Sequence, residues 1–129
     1  MKTLISFLML ICSFGIVSAQ QDVSDNILNA LAGGDAVTLS SFFNDNVELV
    51  VGATNDVFSK QQATGIISDF FRRNKVSSFQ VLHKGTKDTS AFSICTMKAG
   101  NASYRVYVLV RKTSTRQLIQ QLRIESSND

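Results

Sequence analysis

From residue 76 to residue 125 the chain runs through four β-rich segments, 76–84, 90–98, 103–111 and 117–125, separated by short polar turns. That run constrains the fold more than anything else in the sequence, because each turn sets a register and each register assigns every side chain to one of two faces. Ala99-Gly100-Asn101-Ala102 suits a two-residue hairpin with glycine first. It pairs Met97 with Tyr104, Cys95 with Val106, Ser93 with Val108 and Ala91 with Val110. In the next hairpin, a turn centred on Ser114 pairs Arg105 with Arg123, Tyr107 with Gln121 and Leu109 with Ile119.

These registers predict two unlike faces. One carries Ala91, Ser93, Cys95, Met97, Tyr104, Val106, Val108, Val110, Leu118, Gln120, Leu122 and Ile124, and is apolar enough to be the core. Buried amides and phenols need partners, so Tyr104 and Gln120, with Cys95 between the strands, are the candidates for lining a pocket. The other face carries Phe92, Ile94, Tyr107, Leu109 and Ile119 inside a margin that includes Arg105 and Arg123. A contiguous apolar patch of that kind marks an association surface, and aromatic residues with arginine are the composition enriched there. The expected partner is a second copy of the chain, making a homodimer.

Upstream the signals are helical. Residues 22–32 place Val23, Ile27, Leu28 and Leu31 at helical spacing before Gly33-Gly34. Asp35 can cap a second short helix ending near Phe42-Phe43, residues 47–51 read as a short strand, and residues 52–56 as a loop. Ser59 and Gln62 have capping-box spacing. Behind them Ala63, Ile66, Ile67, Phe70 and Phe71 form one apolar stripe, ending in Arg72, Arg73 and Lys75, which complement the helix dipole. Helices segregated from a terminal antiparallel meander, in the order α-α-β-α-β-β-β-β, predict an α+β fold with the helices on one face of a curved, mostly antiparallel sheet.

The first residues have a different purpose. Lys2, an apolar run over residues 4–17 and the small residues Val17-Ser18-Ala19 are the pattern of a secretory signal peptide, with Gln20 as the new N-terminus. The run is shorter than the roughly 20 residues that span a bilayer as a helix. Lipid attachment at Cys12 is disfavoured by the bulky Ile11 before it. The expected organisation is therefore a cleaved segment, residues 1–19, and one domain, residues 20–129, exported to the periplasm or the exterior with no stable membrane anchor. Cleavage leaves Cys95 as the one cysteine of the mature chain, so an intramolecular disulfide is excluded. It also reduces the 13 basic residues to 12 against 10 acidic, a balance too even and too scattered for nucleic acid.

Chemistry is sparse. His83 is the one histidine, which excludes a two-histidine metal site, and there is no phosphate loop or nucleophile elbow. No cofactor is expected, and Cys95, among apolar and hydroxylic neighbours, reads as a buried core thiol. Asn101-Ala102-Ser103 matches a glycosylation tripeptide at chance frequency.

The stretches QDVSDNILNALAGGDAVTLSSFFNDNVELVV, FSKQQATGIISDFFRRN, SFQVLHKG and YRVYVLV followed by QLIQQLRIE resemble domain-of-unknown-function family 4783, small exported bacterial proteins. The resemblance covers about residues 22–125. It implies the cone-shaped α+β fold of the nuclear-transport-factor-2-like superfamily and a Gram-negative envelope setting, and it supplies no function. Ketosteroid-isomerase-like members of that superfamily place a carboxylate base inside the cone. Here the nearest carboxylates, Asp69 and Glu48, are expected to point outward. The leading expectation is thus a non-catalytic module that dimerises or holds a small apolar ligand. The alternatives are an isomerase or hydrolase using Asp69 or Glu48 with Tyr104, and an accessory subunit of an envelope assembly.

Overall fold

The computed structural model describes residues 21–127; the signal segment expected over residues 1–19 lies outside them. Three helices, α1 (Asp25–Gly33), α2 (Ala36–Ser40) and α3 (Lys60–Arg73), accompany six strands: β1 (Phe43–Val51), β2 (Thr54–Ser59), β3 (Val76–Lys87), β4 (Ser90–Ala99), β5 (Ala102–Lys112) and β6 (Gln117–Ser126). All six strands form one sheet in the order β2-β1-β6-β5-β4-β3. Every neighbouring pair is antiparallel except β1 with β6, which is parallel. The α+β architecture is as the sequence predicts.

Each helix begins and ends where local chemistry dictates. The Ser24 hydroxyl accepts the Ile27 N–H at 3.3 Å to cap α1, and Gly34 ends it in the left-handed conformation, φ 63°. Asp35 caps α2 by accepting the Thr38 N–H at 3.1 Å. The capping box of α3 is complete: Gln62 N–H donates to Ser59 Oγ, and Ser59 N–H donates to Gln62 Oε1, both at 3.1 Å. Ala63, Ile67, Phe70 and Phe71 are buried along α3, as their spacing predicts, while Ile66 is half-buried.

The core lies between the helices and one face of the sheet. Ala91, Ser93, Cys95, Met97, Val106, Val108, Val110, Ile119, Leu122 and Ile124 are all buried there against Ile27, Leu31, Leu39, Phe43 and Ile67. The Ser93 hydroxyl is the one buried side-chain polar atom without a hydrogen-bond partner among the described residues. Its two neighbours on that face, Ala91 and Cys95, are also small, which makes room for an apolar layer above them.

Three expectations are corrected. Residues 52–56 are not a loop: the chain turns at Gly52, φ 60°, and returns as β2, with Val51 paired to Thr54. Strand β1 begins at Phe43, four residues before the expected start, so the second helix stops short of the Phe42-Phe43 pair. The β4–β5 register is as predicted, but β5–β6 is not. Arg105 pairs with Glu125, Tyr107 with Arg123 and Leu109 with Gln121, after which the register shifts and Val110 pairs with Ile119.

The physical reason is a bulge. Gln120 is the extra residue between Ile119 and Gln121, so the alternation of faces breaks there. Ile119 turns inward and is fully buried, Leu118 and Gln120 are only half-buried, and Gln117 is buried at the strand start. Pairing Arg105 with Glu125 also replaces the expected arginine–arginine opposition with an attractive pair. Further register shifts lie between Val76 and Ser78 and between Val81 and His83 in β3, and between Phe43 and Glu48 in β1.

Candidate functional site

A groove of about 800 Å³ opens beside α3, between the β1–β2 turn and the ends of β5 and β6. Val51, Phe58, Ile66, Phe70 and Tyr104 supply its apolar surface, and Gln61, Gln62, Asp69, Arg73 and Ser126 its polar margin. Its volume is within the 300–1,000 Å³ usual for small-molecule sites, and so is the mixture of an apolar lining with a few polar groups. The Tyr104 ring meets the Phe70 ring edge-to-face, centroids 5.3 Å apart at 80°, so the wall between sheet and helix is preset by an aromatic pair. Tyr104 also borders a second concavity of about 540 Å³, formed with Phe79, Met97 and Ser127.

Gly65 also lines the groove. It lies in the middle of the fourteen-residue α3, and a Cβ built on it would meet nothing within 4 Å. Glycine inside a helix costs about 1 kcal/mol relative to alanine, and no packing contact offsets that cost here; the space over Gly65 is part of the open groove.

At the rim one carboxylate serves two cations. Arg73 Nη2 lies 2.7 Å from Asp69 Oδ2, and Arg72 Nη2 donates to Asp69 Oδ1. The pair placed one turn apart is favourable on a helix surface, but both arginines are about 70% exposed, so each contributes little to stability. Both Asp69 oxygens thus face arginine nitrogens. Glu48 is exposed on β1, between Val57 of β2 and Gln121 of β6, and does not line the groove.

Of the three residues expected to mark a pocket, only Tyr104 does so. Cys95 is wholly enclosed in the core, where desolvation pushes its thiol up to about 11. Gln120 is displaced from the core face by its own bulge. The groove is instead completed by Gly65, Phe58 and Arg73, which were not expected to line a pocket, and by Asp69, which was expected to point outward and entered only the enzyme alternative with Tyr104. The available signal was a glycine inside a strongly capped amphipathic helix. Among the described residues no group of three or more His, Cys, Asp or Glu could hold a metal, and His83 is exposed on β3.

The outer sheet face carries the expected patch in reduced form. Phe92 and Tyr107 stack with centroids 6.0 Å apart at 29°, and Ile94 and Leu109 flank them, all half-buried. Ile119 is not part of this patch, because the bulge sends it into the core. Arg105 is exposed at the margin, and Arg123 lies 3.3 Å from Glu125. Phe92 lies over Gly85, its cross-strand partner, where any Cβ would come within 2.5 Å of the ring. Glycine there lets the ring lie flat on the sheet.

A family model described as "Domain of unknown function (DUF4783)" matches residues 24–125. The chain belongs to the DUF4783 family. A DUF4783 protein from Bacteroides ovatus is 35% identical, with a TM-score of 0.79 over 84% of this chain and 99% of that one. Another, from Bacteroides uniformis, is 30% identical, with a TM-score of 0.77 over 84% of this chain and 100% of that one. The fold is nuclear-transport-factor-2-like: a provisionally named dehydratase of the NTF2-like family from Streptomyces avermitilis aligns at a TM-score of 0.59 and 14% identity, over 81% of this chain and 90% of that one. No curated protein matches the chain.

Proposed function

We propose that this DUF4783 protein is an exported, non-catalytic module of the bacterial envelope that holds a small, mainly apolar molecule in the groove beside α3. The observation that carries the reading is Gly65: a helix otherwise built for stability leaves an unfilled gap over a concave apolar surface. The engagement of Asp69 with two arginines argues against acid–base chemistry at the same place. Export rests on the apolar run and small residues at positions 4–19.

Gly65→Trp tests the groove, since a Cβ at that position meets nothing within 4 Å and the indole beyond it would occupy the groove. Protein purified from its own host's envelope is expected to retain a small-molecule adduct in native mass spectrometry, and the Gly65→Trp variant is expected to lose it. Gly65→Ala should leave the adduct in place and stabilise the helix by about 1 kcal/mol. An adduct carried equally by wild type and Gly65→Trp would place the ligand elsewhere, and no adduct on either would make the groove an empty surface feature.

A second reading concerns self-association through the outer sheet face. It is favoured by the Phe92–Tyr107 stack seated on Gly85, with Arg105, Arg123 and Glu125 providing both charge signs at the margin. A two-fold copy can set arginine against glutamate around a shared apolar centre. Sedimentation of the wild type should give a dimer, and Tyr107→Glu combined with Leu109→Glu a monomer. A monomeric wild type at micromolar concentrations would end this reading and leave the groove untouched.

A further inference from the structure

Granted that the groove is a binding site, its charge points to the class of molecule it takes. Among the described residues Asp69 is the one acidic residue lining it and Arg73 the one basic residue, with Arg72 joined to the same carboxylate from just outside. Two guanidiniums and one carboxylate leave one positive charge in excess at the rim. The Asp69 contacts use one terminal nitrogen of each arginine, and a guanidinium carries five N–H donors in a planar fork suited to carboxylate or sulfonate.

One feature of α3 opposes that charge and does not cancel it. The helix ends at Arg73, so its carboxyl end contributes about half a negative charge near the cluster. One of its last carbonyls, that of Phe70, is already occupied by the Asn74 backbone N–H and the Asn74 side-chain amide, both at 2.9 Å. Elsewhere in the lining Val51, Phe58, Ile66 and Phe70 are apolar and Gln61, Gln62, Tyr104 and Ser126 are neutral, so none of them brings a formal charge to pair with a second one. Desolvating an unpaired charge there would be costly, which excludes dianions as well as cations.

We propose that the groove binds a monoanionic amphiphile, its apolar body on Phe58, Ile66, Phe70 and Tyr104 and its anionic group at Arg73. A fatty or aromatic carboxylate or an organic sulfonate has this chemistry. Arg73 then sets specificity, while the apolar residues supply most of the affinity.

The test uses two probes that share an arene and differ by one charge: 1-anilinonaphthalene-8-sulfonate and the neutral N-phenyl-1-naphthylamine. Their fluorescence gives dissociation constants for the purified, folded protein. The sulfonate is expected to bind about fivefold tighter than the neutral probe, as an exposed ion pair of about 1 kcal/mol would give, and rising salt should erode the difference. Arg73→Gln should abolish the preference without weakening the neutral probe, and Arg73→Lys should restore part of it. Equal affinities in the wild type, or a preference that survives Arg73→Gln, would overturn the monoanion assignment while leaving the groove as a binding site. If neither probe binds, or if both bind Gly65→Trp as well as wild type, the groove reading itself fails and takes this inference with it.

Discussion

Replacing Phe43 by alanine is expected to destabilise the domain by about 3–5 kcal/mol, while the same change at the adjacent Phe42 costs about 1 kcal/mol or less. Phe43 is the largest of the fully enclosed side chains, 1% exposed, and enters the core at the first residue of β1. It pairs with Ile119, itself turned inward by the β6 bulge, and the Phe42 carbonyl accepts the Ile119 N–H at 2.7 Å. Truncation would therefore open a cavity where two strands and α2 converge, and backbone held on both sides cannot collapse to fill it. Phe42 is only half-buried, packed against the edge of the core beneath the Arg116 guanidinium, whose carbon lies 5.0 Å from the ring centroid. That contact contributes the modest stabilisation of an exposed cation–π pair. Urea midpoints for the two variants measure the contrast directly. A domain of this size has about 5–15 kcal/mol in total, so Phe43→Ala should approach the limit of folding at physiological temperature. Equal losses at the two sites would mean that β1 is set one residue out of place.

The second large effect depends on pH. Cys95 is fully enclosed, and burial pushes its thiol from about 9 up to about 11. The unfolded chain therefore loses this proton first as pH rises. Stability is intact below pH 9 and falls as the pH rises to 11, by about 2–3 kcal/mol for a shift of two units. Lysines and tyrosines titrate over the same range, so the thiol is isolated by comparison with Cys95→Ala. That variant should be less stable at pH 7 because of its cavity, yet its stability should decline less between pH 9 and 11. Parallel declines for both proteins would show that the thiol is accessible to water in the folded state. The same burial should leave Cys95 unreactive toward alkylating reagents until the domain unfolds.

What could be read in the sequence was what repeats with a period. The stripe on α3, the caps at Asp35 and Ser59, and the β4–β5 register all follow from local spacing and are found as expected. What could not be read was aperiodic. One inserted residue, Gln120, reverses the faces of its strand, moving Ile119 from the outer patch to the core and taking Gln120 itself out of the pocket set. The β1–β2 turn was hidden because Gly52 to Asp56 is polar on both sides, and its strand, with an exposed Val57, has no buried alternation to declare it. The site was obscured for a related reason. Asp69 and Arg73 read as an ordinary solvated helix end, and only the position of the β1–β2 turn opposite α3 makes a groove of that end. Gln117 is a further instance. Its amide accepts the Ser24 N–H and donates to the Asp22 carbonyl, both at 2.8 Å, bonds that span more than ninety residues.

The place of β1 between β2 and β6 has a consequence for how the domain comes into being. The first strand of the sheet is completed by the last, in parallel, and the pairs Glu48–Gln121 and Val51–Ile124 join opposite ends of the chain. Loop closure on that scale is entropically demanding and is rewarded only after the intervening meander has formed. The hairpins β3–β4–β5 can assemble early, but the core face of β1 stays unsealed until residue 124 is available. Folding should therefore be slow, in the range of milliseconds to seconds, with closure of β1 on β6 as the late step. A ribosome-bound chain stalled before β6 would expose Leu49 and Val51 to any chaperone within reach.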